Sequence, residues 1–307
     1  MRLVTRSDFD GLACAALLTE AGVVDDYLYT HPKDLQDGKV AVGENDVLAN
    51  VPYVPGCGLW FDHHSSETER LGFDFQYEGA SRQAPSCARV VYDYYKKDHD
   101  FPDHIEEMVQ AVDKVDSASL AHEDIRNPQG WVLLGFIMDP RTGLGRIHAF
   151  RISNFELMKR MPRLIAALPL EKIMDDVDVK ERVEVYRREQ ELFERMLQEN
   201  SSVHGELVVL DLLDREVIHA GNRFLLYDLH PQCNISMTLL WGKQKQNVVF
   251  SVGHSILNRS SQVDVGSLML RYGGGGHRAV GTCQVDSADA GRVKQELISA
   301  IVETTTP

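Results

Sequence analysis

Four clusters of polar residues in this chain could do chemistry. The first is Asp8-Phe9-Asp10-Gly11, directly after the short apolar start MRLVT. Carboxylates at i and i+2 in a turn can aim at one point, and hard divalent cations favour such oxygen ligands. Gly11 lets backbone come close, and the N-terminus of a following helix attracts anions. An Asp pair here also suits helix capping, so the motif alone leaves both readings open. The second cluster is Asp62-His63-His64, which closes the apolar run GLWF. An acid and two imidazoles beside a buried strand are expensive to desolvate without a use. In open α/β sheets, sites lie outside the C-terminal strand ends.

The third cluster is Asp113 and Asp116 in AVDKVDSA. At i and i+3 they share one helix face. A solvated acidic face is the simpler reading, yet Val112, Val115 and Ala118 surround them and turn at least one inward. The fourth is the run Gly273–Gly276 followed by His277, Arg278 and, three residues on, Gly281. Four successive glycines cost chain entropy, and such a loop brings backbone N–H groups close to an anion. Asn258-Arg259-Ser260 adds a further phosphate clamp upstream. A flexible surface turn is the competing reading of the glycines.

The elements that must hold these groups are legible in outline. Residues 1–5 read as a strand and LACAALLTEAG as an apolar helix closed by Gly22. VLAN (47–50) and GLWFDHH (58–64) read as buried strands, and residues 84–97 and 102–120 as helices, with Pro102 in a favourable first-turn position. Alternating strands and helices predict a parallel sheet. Residues 170–200 form a charged, helix-like stretch broken by ENSSVHG, after which ELVVLDLL, NRFLLYDL, ISMTLLW and NVVFSVGHS read as strands. A closing helix is expected near 288–302. The fold class is α/β: a parallel-sheet lobe over 1–175, a connector helix over 176–204, and a smaller mixed α/β lobe over 205–307.

Bulk composition narrows the function classes. The 307 residues suffice for two domains, and 43% hydrophobic with 25% charged residues is ordinary globular protein. A net charge of −14 argues against coating duplex DNA, which calls for a basic face. A local pocket can still hold a small phosphorylated ligand. The five cysteines, Cys14, Cys57, Cys87, Cys233 and Cys283, are scattered and contain no CxxC pair, which fits a reducing cytoplasm. No apolar run is long enough to span a bilayer, and no signal-peptide core is seen at the N-terminus.

Taken in order, the DxD, the DHH after a later strand, a further Asp and a C-terminal GGGGH resemble the DHH phosphoesterase superfamily, over nearly the whole chain. Its exopolyphosphatase-like and nanoRNase-like branches are the nearest in pattern. The resemblance implies hydrolysis of a phosphate ester or anhydride with Mn²⁺ or Mg²⁺, one or two ions. It implies metal ligands at Asp8, Asp10, His63 and Asp116, with Asp113 the fallback for the last. It implies that Asp62 supports the DHH histidine and that His64 faces substrate phosphate. Arg259, Gly275, Gly276, His277 and Arg278 match the family's substrate-gripping parts.

Two positions depart from the family pattern. Arg6 stands where many members have a ligand His, and a guanidinium has no free acceptor for a metal. It can hold phosphate instead. Asn50, at the end of VLAN, stands where the family uses a bridging acid, with Asp46 at the other end of that strand. An amide is a neutral, weaker ligand. The expectation is therefore a short phosphorylated or nucleotide substrate, cleaved as a phosphodiester and gripped between two lobes, with no duplex DNA and no membrane, and a homodimer as a possible assembly. Exopolyphosphatase-type hydrolysis is the alternative within the enzyme class, and a degenerate nucleotide or phosphate sensor is the alternative outside it.

Overall fold

Strand β1 (Arg2–Thr5) runs into α1 (Phe9–Glu20), the first step of an α/β alternation that continues through β2 (Asp26–Tyr29), α2 (Pro32–Gln36), β3 (Asp46–Ala49), β4 (Leu59–Asp62) and β5 (Gly79–Ser81). The computed structural model describes residues 1–64, 76–147 and 149–305. The five strands form one sheet in the order β2-β1-β3-β4-β5, every pair parallel. Val4 aligns with Leu48, and Leu48 with Trp60. The residues that follow β1, β3 and β4 therefore leave the sheet at the same end, the end where α/β proteins bind ligands.

Helix α1 is apolar on every side, and its residues from Phe9 to Leu18 are buried. Such a helix belongs in the centre of a fold. It packs on α3 (Cys87–Tyr95), α4 (Asp103–Asp116), α6 (Gly130–Met138) and α7 (Asn154–Ala167), with α5 (His122–Arg126) between α4 and α6 in the chain. On the other face of the sheet, Val4, Leu48 and Trp60 pack with Leu35 and Val51. Trp60 meets Tyr53 and Tyr77 edge-on, at ring centroid separations of 5.4 and 4.9 Å.

The charged stretch predicted as one helix is two, α8 (Leu170–Met174) and α9 (Val177–Asn200). The chain forms two compact units, Met1–Ser119 with Asn127–Tyr186, and Leu120–Arg126 with Arg187–Pro307. The second unit carries a six-stranded sheet of β6 (Ser201–His204), β7 (Leu207–Asp211), β8 (Ile235–Trp241), β9 (Val248–His254), β10 (Gly275–His277) and β11 (Val280–Val285). Its order is β10-β11-β9-β8-β7-β6, with only the β7–β8 pair parallel.

One expected strand is corrected. Within NRFLLYDL, residues Leu225–Leu229 form a helical turn, α10. The Asn222 side chain accepts from the Phe224 amide at 3.0 Å and starts that turn, and Leu225, Leu226 and Tyr227 are all buried. A short run buried throughout has no periodicity to separate strand from helix. The remaining helices are α11 (Val265–Leu270) and the closing α12 (Ala290–Thr305). Among the described residues, no helix is long and apolar enough to cross a membrane.

Candidate metal centre and adjoining cleft

Asp8 caps α1: its Oδ1 accepts from the Gly11 amide at 3.0 Å. Gly11 is required there, because a Cβ would lie 2.1 Å from the Arg6 carbonyl oxygen. Capping is thus part of what the DxD does. Asp10, in the first turn, points into the core, where Ala88 N–H donates to its Oδ1 at 2.7 Å and Cys87 N–H to its Oδ2 at 2.9 Å. These are the leading amides of α3, so a helix N-terminus partly offsets the buried charge.

β4 delivers the next group. Asp62 is 1% exposed, and its Oδ1 accepts from the His63 amide at 2.9 Å and faces His64 Nδ1 at 2.8 Å. His63 Nδ1 lies 3.3 Å from the Ala84 carbonyl, which can only accept, so its proton sits on Nδ1 and the Nε2 lone pair is available. That Nε2 is buried and has no hydrogen-bond partner among the described residues. It lies 3.7 Å from Asp10 Oδ2 and 3.5 Å from Asp116 Oδ2. Donors ~2.1 Å from one ion at a near-tetrahedral angle lie ~3.4 Å apart. The orphaned nitrogen, the two carboxylates and their spacing fit a divalent cation.

The two acids of α4 separate cleanly. Asp113 accepts from Ser86 Oγ at 2.6 Å and from Arg89 Nε and Nη2 at 2.9 and 2.7 Å, tying α4 to α3. Asp116, one turn on, faces His63.

Asn50 follows β3 with φ of 57°, a left-handed conformation that Asn tolerates. Its Nδ2 donates to Asp8 Oδ1 at 3.2 Å. Arg6 Nε lies 3.1 Å from Asp8 Oδ2. Both departures from the family pattern thus converge on Asp8. Asp46 sits at the opposite end of β3, where Arg2 Nε and Nη2 donate to it at 2.7 and 2.9 Å. It is outside the cluster.

The electrostatics follow from crowding. Burial, then Asp116 and Asp8, push Asp10 well above the usual carboxylate range. Burial, then Asp8, push Asp116 up to about 6. His63 is lowered by burial and by His64, which favours the neutral, ligating form. Burial also opposes charge on His64, but the hydrogen bond and charge of Asp62 prevail and raise it.

A cleft of ≈ 630 Å³ opens beside the cluster, and Arg6 and Asp8 are in its wall. Its far side is built by the end of β2, Tyr29 to Pro32, and by Asp139-Pro140-Arg141 after α6. Sequence reading missed this side. The available signal was two opposite charges flanking a proline, directly after the apolar helix GWVLLGFIM.

The C-terminal motif lies in the second unit. Gly275, Gly276 and His277 form β10, and Arg278 lies in the turn to β11, its Nη2 3.4 Å from Gln262 Oε1. Arg259 follows β9, its Nε donating to the Ile256 carbonyl at 3.2 Å. The glycines also have a packing reason: a Cβ at Gly274 would lie 2.1 Å from the Thr282 carbonyl oxygen, and one at Gly276 2.2 Å from that of Val280.

A scan against protein-family models and a search of curated proteins each find no match. Among solved structures, the pGpG-specific phosphodiesterase PggH from Vibrio cholerae is 48% identical, with a TM-score of 0.85 and 99% of each chain covered. RecJ from Thermus thermophilus, solved with Mn²⁺, is 15% identical, with a TM-score of 0.56 over 100% of this chain and 52% of RecJ. An exopolyphosphatase-related protein from Bacteroides fragilis is 12% identical, with a TM-score of 0.52 over 98% of this chain and 92% of that one. The last two likenesses concern the fold. With PggH nearly half identical from end to end and the DxD, DHH and GGGGH motifs in place, the chain belongs to the DHH phosphoesterase superfamily.

Proposed function

We propose that the protein is a metal-dependent phosphodiesterase that hydrolyses short oligonucleotides, with pGpG the first substrate to test. The observation that carries this reading is the 48% identity to a pGpG-specific phosphodiesterase over 99% of both chains. Asp10, His63 and Asp116 would hold a divalent cation, Mn²⁺ or Mg²⁺, which when bound polarises a phosphoryl oxygen and acidifies water. The Ala84 carbonyl fixes the His63 ring for that role. Asp62 orients His64 and keeps it readily protonated, so that His64 offers a proton and a positive charge to substrate phosphate. Arg6 presents a further cation at the cleft wall. In the second unit, Arg259, His277, Arg278 and the backbone N–H groups at Gly275 and Gly276 act as hydrogen-bond donors to substrate phosphate.

The test is a hydrolysis screen with purified protein and Mn²⁺, read by anion-exchange chromatography. The substrates are pGpG, other dinucleotides, RNAs of five to ten nucleotides, and polyphosphate. One water added to pGpG yields two GMP, and chelation of the metal abolishes the reaction. Cleavage of polyphosphate alone would refute the phosphodiester reading. A second reading, a sensor without turnover, draws on the engagement of Asp8 by Arg6 and Asn50. Tight pGpG binding with no hydrolysis at saturating Mn²⁺ would favour it.

A further inference from the structure

The cleft beside the metal cluster has the dimensions and the wall chemistry of a ligand subsite. Its ≈ 630 Å³ falls within the ~300–1,000 Å³ of small-molecule pockets. One wall is apolar and ring-bearing: Tyr29, Pro32 and Pro140. The Tyr29 hydroxyl donates to the Met158 carbonyl at 3.1 Å, which holds that ring in place. The other chemistry is cationic. Asp139 is 7% exposed and receives Arg141 Nε at 2.8 Å and Nη2 at 2.6 Å, so one edge of the guanidinium is held rigidly. Nη1 makes no hydrogen bond among the described residues, and the Arg141 side chain is 50% exposed. Arg141 is close enough to Asp8 and Asp116 to feel their charge. A guanidinium braced by a carboxylate, half open and next to a metal-ligand cluster, is arranged to receive a phosphate.

We infer that this cleft is the subsite for one nucleoside monophosphate unit of the substrate, with Arg141 contacting its phosphate and the Tyr29–Pro32 wall covering its nucleoside. The inference rests on the phosphodiesterase reading above and names where that substrate sits. Asp139 is then a positioning residue that acts through Arg141. The same placement gives the cleft a cation at each of two edges, Arg6 and Arg141, with the apolar wall beyond them.

Calorimetric titration of the Mn²⁺-loaded protein with GMP tests this without turnover, with inorganic phosphate as the second probe. Wild-type protein is expected to bind GMP at least tenfold more tightly than phosphate. Arg141→Ala is expected to weaken GMP at least tenfold, and Arg141→Lys, which keeps the charge but loses the fork, by less. Thr30→Trp enlarges a residue of the cleft lining on the β2 side, and is expected to abolish GMP binding even if Arg141→Ala fails to fold. GMP affinity within twofold of wild type in Thr30→Trp or in folded Arg141→Ala overturns the subsite. Phosphate binding as tightly as GMP, or no GMP binding to wild type, overturns it too. A protein that binds GMP this way but does not hydrolyse pGpG refutes the reaction and leaves the subsite standing.

Discussion

Arg6 Nε lies 3.1 Å from Asp8 Oδ2, while Asn50 Nδ2 and the Gly11 amide donate to Asp8 Oδ1 at 3.2 and 3.0 Å. Asp8 is thus occupied by a cation and two N–H donors. Asp10, His63 and Asp116, in contrast, converge around a buried nitrogen that has no hydrogen-bond partner among the described residues. The spacing of the second group suits one cation. A second cation at Asp8 would have to sit beside the Arg6 guanidinium. Two unit charges 4 Å apart repel by about 4 kcal/mol at an effective dielectric of 20, and a dication more strongly.

The unmodified protein is therefore expected to bind fewer than two tight Mn²⁺ ions. Arg6→His with Asn50→Asp removes a cation and adds an anion at Asp8, and should raise the stoichiometry toward two. Asp, like Asn, tolerates the left-handed backbone at position 50. Calorimetric titration with Mn²⁺ reads the result directly, and two tight sites in the unmodified protein would contradict the assignment.

His63 and Asp113 should respond in opposite ways. His63→Ala removes the central ligand of the cluster. Its Mn²⁺ affinity and turnover should drop by more than the ~10–100-fold seen when a ligand's hydrogen-bonding partner is lost. Asp113→Asn breaks the tie from α4 to Ser86 and Arg89, costing about 1–3 kcal/mol of stability, while Mn²⁺ affinity stays near wild type. Metal titration and urea melts on both variants separate the roles. A large loss of metal binding in Asp113→Asn would return it to the ligand set.

How far the sequence reached depends on the kind of signal. β1, β3 and β4 are short apolar runs followed by polar Asp, Asn or His residues, so the edge that carries Asp8, Asn50 and His63 was legible, whereas β2 and β5, short and only partly apolar, were not. The preference for Asp116 over Asp113 rested on the resemblance alone, because both lie on one helix face; the engagement of Asp113 by Ser86 and Arg89 at the start of α3 could not be read from the sequence. Arg141 was illegible for another reason. It lies more than 130 residues from Asp8 in the chain, and its role comes from the ring and charge wall it shares with the end of β2. The α10 turn was hidden by a run of buried residues without periodicity.

Metal and proton should compete at Asp10 and Asp116. Burial and neighbouring acids raise both, Asp116 to about 6, whereas an unfolded Asp titrates near ~3.9. The metal-free fold thus binds protons that the unfolded chain has released. The resulting stability is complete below about pH 4 and is lost as pH rises through about 6. Added Mn²⁺ replaces the proton, so it should raise the melting temperature more at pH 8 than at pH 5.5 and release more protons per ion at pH 5.5. Calorimetry in two buffers of different ionisation enthalpy measures the release. Equal release at both pH values would mean that these carboxylates are not the ligands.

The glycine run offers a way to separate packing from anion binding. A Cβ at position 274 would meet the Thr282 carbonyl at 2.1 Å, and the neighbouring strand cannot retreat without disturbing its pairing with β9. Gly274→Ala should therefore destabilise the second unit by ~1–3 kcal/mol. At Gly275 a Cβ meets nothing within 4 Å, so Gly275→Ala should melt as wild type does. That variant isolates the other function assigned to the run. If substrate phosphate lies against the backbone at Gly275, an added methyl blocks the approach, and KM for pGpG should rise severalfold with kcat nearly unchanged. Unchanged KM and kcat in Gly275→Ala, beside a destabilised Gly274→Ala, would assign the glycines to strand packing and leave anion binding in this unit to Arg259, His277 and Arg278.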